Sequence, residues 1–222
     1  MAWYDDDNVK YNRFTNLDSI EDRIIYYLIS EEGKNKEQIE MVHTIWRILR
    51  YADEYCLIDD EEHPLPTYKE ITKLIDSDAS NQSMKRIFRY PYVEDAVLDE
   101  CAMIRVYVDS IVPDNHIVAT LNICVEAIIH NKASNIINPL YNENGELINK
   151  TEGQPVIAYK NRCTVLLKCI LALLNGADVA GVGKLQFNTQ VNRFNTSRLG
   201  VWNNRNFYGY KTVLSVVMSG VA

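Results

Sequence analysis

The chain of 222 residues is 47% hydrophobic and 24% charged, which is the composition of an ordinary globular protein and excludes wholesale disorder. Its 23 lysines and arginines against 30 aspartates and glutamates give a formal net charge of −7, which argues against the basic surface that binding to nucleic-acid phosphates requires. No stretch approaches the roughly 20 apolar residues of a membrane-spanning helix. The acidic start also lacks the apolar run of a signal peptide, so we expect a protein without a membrane segment that is made in the cytoplasm.

Residues 1–16 are polar and rich in Asp, Asn and Tyr without periodicity, which indicates an N-terminal arm. Residues 17–222 are interpreted as one domain with an N-terminal helical region over about 17–100. A first helix is predicted to begin near Asp18, capped by reciprocal bonds with Glu21 in a capping box. Apolar residues at four-residue spacing predict its buried stripe, which consists of Ile20, Ile24 and Leu28.

A second helix is predicted from about Lys36 to Tyr55, and it forms a helical hairpin with the first. Its apolar face contains Ile39, Val42, Trp46 and Leu49. A second capping box between Thr67 and Glu70 predicts a further short helix. This helix carries Ile71, Leu74 and Ile75. Residues 76–100 are expected to be irregular.

The pattern then changes to the alternation that is typical of strands. A strand is predicted over 103–111, a turn over 113–115 and a long strand over 117–129, which together form an antiparallel hairpin. One face of the long strand is apolar. The other is expected to be wetter, because it carries Thr120, Asn122, Glu126 and His130.

Residues 131–156 are polar and predict a long loop, which in a compact domain is usually functional or disordered. A helix follows from about Ala158 to Asn175, ended by Gly176 in a left-handed conformation. Its inward residues are expected to be Cys163, Leu166, Leu167, Ile170, Leu171 and Leu174. Strands are predicted over 183–193 and 207–218, joined by a polar loop.

This order predicts an α+β fold with N-terminal helices, then an antiparallel β-sheet of two hairpins packed on a helix, with long loops and an N-terminal arm. One face of the long strand should pack on the last helix. The facing residues are predicted to be Leu121, Ile123 and Val125 on the strand and Leu167, Ile170 and Leu174 on the helix.

The five cysteines, which include no Cys-x-x-Cys pair, are expected to be free thiols packed as small apolar residues. The four histidines show no zinc-ligand spacing, because none lies within five residues of another histidine or a cysteine. No Gly-x-Ser-x-Gly motif is present either. We therefore expect no catalytic residue, cofactor or metal ion, although a catalytic triad assembled by the fold stays open at this stage.

The segment Gly181-Val-Gly-Lys184 resembles the end of a phosphate-binding loop. That loop requires glycine five positions before the Gly-Lys pair and Ser or Thr after it. The chain has Asp178 and Leu185 at these positions, and an aspartate would repel phosphate. We interpret the segment as a tight connection from helix to strand that uses the conformational freedom of glycine.

Basic and aromatic residues occur together at 85–92 and 193–208. Such runs can stack single-stranded nucleic acid. In an acidic chain, however, they favour loops that contact other subunits, because tyrosine, tryptophan and arginine are enriched at interface hot spots. The 14 tyrosines, many of them in loops, point the same way.

Several segments are similar to neck and tail-completion proteins of tailed bacteriophages. They are Lys85-Arg-Ile-Phe-Arg-Tyr-Pro-Tyr92, Asp99-Glu-Cys-Ala-Met-Ile-Arg-Val-Tyr107 and the strand ending Ala127-Ile-Ile-His-Asn131. The helix ending at Gly176, the segment 181–187 and the closing strand around 208–217 fit the same scheme. The resemblance covers roughly residues 17–218, and its motifs are short and structural.

The resemblance implies a small α+β fold without enzymatic activity. Tail terminators in this group are typically hexameric rings that cap the tail tube, and related neck proteins stack between that ring and the portal. The chain is therefore expected to be a virion protein, assembled in the host cytoplasm, that forms a homohexameric ring between neck or portal proteins and tail-tube or sheath proteins. A helical region larger than that of the minimal lambda-type terminator makes a neck adaptor or stopper of the same joint an alternative.

A ring subunit buries large heterologous interfaces, which we expect in the long loops. The candidate interface residues are Tyr141, Asn144, Trp202, Arg205 and Phe207. Double-stranded DNA that passes without specific binding favours acidic pore walls. The candidate lumen residues form an acidic loop of Asp59, Asp60, Glu61 and Glu62, with Asp5-Asp-Asp7 as a second acidic run. Alternatives for the acidic loop are a solvated surface and a divalent-cation site.

The competing class for the whole protein is a soluble, monomeric phage-encoded binding or regulatory module.

Overall fold

The structure is a computed structural model, and the parts described are residues 17–76, 84–90, 100–114, 118–137, 159–187, 197–199 and 206–219. Its helices are α1 (Ile20–Ile29), α2 (Lys36–Arg50), α3 (Tyr68–Thr72) and α4 (Arg162–Leu174). Its strands are β1 (Ile87–Phe88), β2 (Ala102–Pro113), β3 (Val118–His130), β4 (Asn135–Ile137), β5 (Tyr159–Asn161), β6 (Asp178–Val179), β7 (Gly183–Lys184), β8 (Gln186–Phe187), β9 (Ser197–Leu199) and β10 (Phe207–Ser219). The fold is α+β, as the sequence predicts. Within these ranges no helix is long and apolar enough to cross a membrane.

Helix α1 buries its predicted stripe, but its predicted start is wrong. The helix begins at Ile20, and its N-cap residue Ser19 makes no side-chain capping bond. Glu21 does not take part in a capping box with Asp18. Its Oε1 instead accepts a hydrogen bond from the amide of Val108, 3.1 Å away on β2. A long-range partner on the sheet therefore replaces the local partner that the sequence suggested.

Helix α2 starts at the predicted residue and ends earlier than predicted. Its start is fixed by a capping box between Asn35 and Gln38. It ends at Arg50, and the C-cap residue Tyr51 has an extended backbone, so the predicted continuation to Tyr55 is wrong. The third helix keeps the predicted capping box, since the side chain of its N-cap residue Thr67 accepts a hydrogen bond from the amide at N3.

The last helix is shorter than predicted because its expected first turn belongs to a strand. Residues 159–161 form β5, which pairs antiparallel with β4. Asn161 caps α4 by accepting a hydrogen bond from the amide of Thr164. The helix ends at Leu174, and Gly176 has the predicted left-handed conformation, with φ of 85°.

The main sheet has the strand order β1-β2-β3-β10-β8, and β9 also pairs with β10. The long strand β3 pairs antiparallel with the long strands β2 and β10, whereas the short β1 is parallel to β2. The prediction that 76–100 is irregular is therefore wrong at β1. The predicted strand over 183–193 is represented by the short β7 and β8, and its residues beyond Phe187 lie outside the described ranges.

The hydrophobic core lies between the helices and one face of this sheet. The predicted strand and helix residues share one buried cluster, which includes Leu121, Ile123, Val125, Leu167, Ile170 and Leu174. All five cysteines are free and buried, as predicted. Burial raises the pKa of the Cys56 thiol to about 11 and that of the Cys163 thiol to about 12, so both stay protonated at neutral pH.

The other face of β3 is not wet, and this prediction is wrong. Asn122 and Glu126 are each only 2% exposed, and His130 is 6% exposed. Asn122 and Glu126 bond to polar side chains on neighbouring strands, which compensates for their removal from water. The alternation in the sequence correctly identified the residues of the polar face. It did not show that this face is buried.

The segment Gly181-Val-Gly-Lys184 is a tight connection, but it joins two strands, so the prediction that it leads from a helix to a strand is wrong. It makes the turn between β6 and β7, with φ of 75° at Gly181 and 112° at Gly183. The positive φ at Gly181 disfavours other residues, and a Cβ there would lie 2.1 Å from a guanidinium nitrogen of Arg23, whose flexible side chain would have to move.

Candidate interaction surfaces

The acidic loop, residues 59–62, is fixed by its first two carboxylates. Asp59 Oδ1 lies 2.6 Å from Nη2 of Arg47 on α2. Asp60 Oδ1 accepts hydrogen bonds from the amides of Glu62 and His63, at 3.1 and 2.9 Å. Glu61 and Glu62 are exposed, and no ion pair to their carboxylates is found in the described part of the chain. Of the four candidate lumen residues, Asp59 and Asp60 thus have partners within the fold, whereas the carboxylates of Glu61 and Glu62 have none that is seen in the described part of the chain.

Two buried side chains bind this loop from the interior of the protein. His63 places Nδ1 3.0 Å from Asp60 and Nε2 3.1 Å from Asp53. Arg47 donates Nη1 to the carbonyls of Ile58 and His63, at 3.0 and 2.6 Å. The conformation of the loop therefore depends on side chains of α2 and of the loop itself.

Arg162, the first residue of α4, contacts the segment between α2 and the acidic loop. Its side chain is fully buried, and its guanidinium donates to the carbonyls of Tyr51 and Asp53. Burial lowers the pKa of Arg162, while nearby acidic groups including Asp53 oppose that shift. Helix α2 ends early because the carbonyls of Tyr51 and Asp53, which would accept backbone hydrogen bonds in a longer helix, accept hydrogen bonds from Arg162 instead. The sequence signal was an arginine in the first turn of an apolar helix, where the helix dipole disfavours a cation.

Four of the five candidate interface residues lie outside the described residues. They are Tyr141, Asn144, Trp202 and Arg205. Phe207 is described, and it is only 8% exposed. Its ring packs edge-on against His130 with centroids 4.9 Å apart, in a second small core cluster. The side chain of Phe207 therefore lies in the core of the chain, which does not favour its prediction as an interface residue.

An exposed apolar surface that the sequence analysis missed lies at one end of the sheet. We call it the sheet end and define it by Ile111, Val112 and Val217, which are 45%, 47% and 59% exposed. Val112 and Val217 are both cross-strand partners of Thr120, so they lie side by side with it across three strands. The available signal was the pair of apolar β-branched residues directly before the Pro113 turn, where a strand leaves the core.

The described side chains do not form a metal centre. No group of three His, Cys, Asp or Glu side chains within the described ranges is placed to hold an ion. The acidic loop offers its carboxylates to Arg47, His63 and backbone amides, which does not favour the cation-site alternative.

Comparisons with known proteins give one match. No curated protein and no solved structure is significantly similar to the chain. The model of the family described as YomW matches residues 43–216, a span that runs from α2 to β10. That family is named after a phage-type gene product of an SPbeta-like prophage, which suggests a phage origin. Since the match covers most of its length, the chain belongs to the YomW family.

Proposed function

We propose that the chain is a non-enzymatic structural protein of a tailed phage, which forms a ring at the head–tail joint. Its ring caps the tail tube and connects it to the neck or portal, and DNA passes through without specific binding. The phage-type family and the α+β fold support this proposal. A neck adaptor or stopper of the same joint is the closest alternative position.

The observation that carries the proposal is the sheet end. Three β-branched residues are about half exposed, and two of them lie on one face on either side of Thr120. They form an apolar surface whose removal from water is favourable. Contact between subunits removes such a surface from water, and head-to-tail contacts of identical subunits form a ring where the rotation between them closes. The sheet end thus serves as part of the subunit interface.

Charge supports the placement of the pore. Glu61 and Glu62 extend from the acidic loop, and their carboxylates repel the phosphates of a duplex. A ring of such residues lets DNA slide, whereas lysines would release counterions on contact and hold it. The proposed lumen is accordingly reduced to these two residues.

The test introduces charge at the sheet end. Particles with the double substitution Val112→Glu and Val217→Glu should lack this chain and carry unfinished joints, while the purified variant keeps the circular dichroism spectrum of the wild type. The matched control is Leu65→Glu, an apolar residue of similar exposure (38%) outside the sheet. Normal incorporation of the double variant would overturn the role of the sheet end.

A further inference from the structure

The three long strands of the sheet have no unique alignment by their apolar pattern alone. β2, β3 and β10 contain 12, 13 and 13 residues. Because side chains alternate with a period of two, a slip of one strand by two residues keeps every apolar side chain on the same face. A further feature must therefore select the observed register.

The first such feature is a charged row, which we define as Arg105, Glu126 and Lys211. They are direct cross-strand neighbours on β2, β3 and β10. Arg105 and Glu126 form an ion pair, and both are buried. The hydroxyl of Tyr107 donates to Oε1 of Glu126 at 2.9 Å. The central carboxylate thus has the guanidinium of Arg105 and the hydroxyl of Tyr107 as partners, while Lys211 lies opposite Glu126 on β10 and pairs with Asp109.

The second feature is an amide row, which we define as Ser110, Asn122 and Ser215. They are also direct neighbours on the same three strands. Asn122 donates Nδ2 to Ser110 at 2.9 Å and accepts a hydrogen bond from the hydroxyl of Ser215 at 2.8 Å. As in the charged row, the polar residue of the middle strand bonds to a partner on each side.

A β-bulge in β2 allows both rows to lie on the same face of the sheet. The pairing of β2 with β3 shifts between Val108 and Ser110, so Asp109 is an extra residue without a partner in the register. Without the shift Asp109 would lie opposite Asn122, and Ser110 would point to the helical side. The extra residue bonds to the charged row as well, since Asp109 Oδ1 lies 2.9 Å from Nζ of Lys211.

We propose that the charged row and the amide row select one register among the alignments that the apolar pattern allows. A slip of β10 by two residues would place Gly209 or Val213 opposite Glu126 and remove Lys211 from it. A slip of β2 would place Met103 or Tyr107 there and remove Arg105. A slip of β2 separates Arg105 from the buried carboxylate of Glu126, and a slip of β10 separates Lys211 from Asp109. Each slip also breaks the amide row, which makes every slipped alignment unfavourable. The inference is independent of the proposed function.

The test removes the charged row from the full-length chain with the triple substitution Arg105→Met, Glu126→Met and Lys211→Met. Nuclear Overhauser effects between Cα protons of opposite residues report the register. Wild type should connect Cys124 with Val213 and with no other residue of β10, because they are a directly opposed pair whose Cα protons face each other. The variant should stay folded and show a second set of effects, from Cys124 to residue 211 or residue 215, together with additional amide signals.

The matched control carries three substitutions on the same face outside both rows: Met103→Leu, Ile128→Leu and Val213→Leu. It should keep the single native set of effects. A second variant, Ser110→Ala, Asn122→Val and Ser215→Ala, removes the amide row with smaller changes in volume and should also populate a second register. A single native register in both row variants would overturn the proposal. So would the loss of folding in both, since the rows would then be required for folding and not for the choice of register.

Discussion

The guanidinium of Arg47 lies 2.6 Å from the carboxylate of Asp59 and joins helix α2 to the acidic loop. The two partners differ in exposure, since the side chain of Arg47 is 9% exposed and that of Asp59 is 72% exposed. Arg47 also donates to two backbone carbonyls, whereas Asp59 has water as an alternative partner. The stability of the loop therefore depends on the arginine much more than on the aspartate.

Substitution of the two partners should show this difference. Arg47→Met leaves two buried carbonyls without their donor and should lower the free energy of unfolding by about 3 kcal/mol. Asp59→Asn removes one exposed charge and should lower it by less than about 1 kcal/mol. Urea denaturation followed by circular dichroism measures both values. Equal losses would show that the loop is held by the ion pair and not by the carbonyl contacts.

Glu61 and Glu62 allow a direct test of the lumen. Particles with Glu61→Lys and Glu62→Lys should assemble and retain DNA, but they should eject it slowly, because six added pairs of cations hold the phosphates. High salt should relieve the defect. Glu37→Lys and Glu40→Lys, at two exposed positions of helix α2, change the net charge in the same direction and by the same amount and are the control. Ejection at the wild-type rate at every salt concentration would place the lumen elsewhere in the chain.

Much of the fold follows from local patterns in the sequence. Alternation predicted β2, β3 and β10, and the four-residue spacing in α1 predicted the buried stripe. Local capping predicted α3, because both partners of the Thr67–Glu70 box lie within one turn. The failures share a physical cause, since each depends on a partner distant in sequence. Glu21 bonds to Val108, and the carbonyl of Tyr51 binds Arg162, neither of which a local pattern contains.

The candidate site was predictable to a lesser degree. Acidic character identified the loop 59–62, but composition could not separate Asp59 and Asp60, which hold the loop, from Glu61 and Glu62, which face solvent. Its aromatic character suggested that Phe207 lies at an interface. In the structure its ring packs against His130 within the same chain. The sheet end was missed because Ile111 and Val112 continue an apolar strand, and only the three-dimensional arrangement shows that the strand extends past the core.

Ile123 tests the packing of the sheet on helix α4. It is fully buried in the main core, so Ile123→Ala should lower the free energy of unfolding by about 2–5 kcal/mol. Val217→Ala, on the exposed sheet end, is the control and should change it by less than about 0.5 kcal/mol in the isolated subunit. Chemical denaturation measures both. A wild-type midpoint for Ile123→Ala would mean that the strand does not pack as described.

Glu70 gives the chain a pH-dependent contribution to stability. The backbone amide and hydroxyl of Thr67 donate to its carboxylate and lower the pKa of Glu70. Because the folded-state pKa lies below the unfolded one, the contribution is complete above the ordinary glutamate pKa and is lost as the pH falls through the folded value. The difference in unfolding free energy between wild type and Glu70→Ala should therefore be largest at neutral pH and shrink below about pH 4. Thr67→Ser keeps the hydroxyl and should retain the wild-type pH dependence; a difference that grows in acid would contradict the assignment.

The copy number of the chain in purified phage particles tests the proposed function most directly. Quantitative mass spectrometry against a major tail protein of known copy number gives this value for intact particles and for isolated tails. A ring at the head–tail joint predicts a copy number that is a multiple of six in particles and a signal that stays with the neck or the top of the tail after disruption. The absence of the chain from particles, or a single copy in each, would contradict the account.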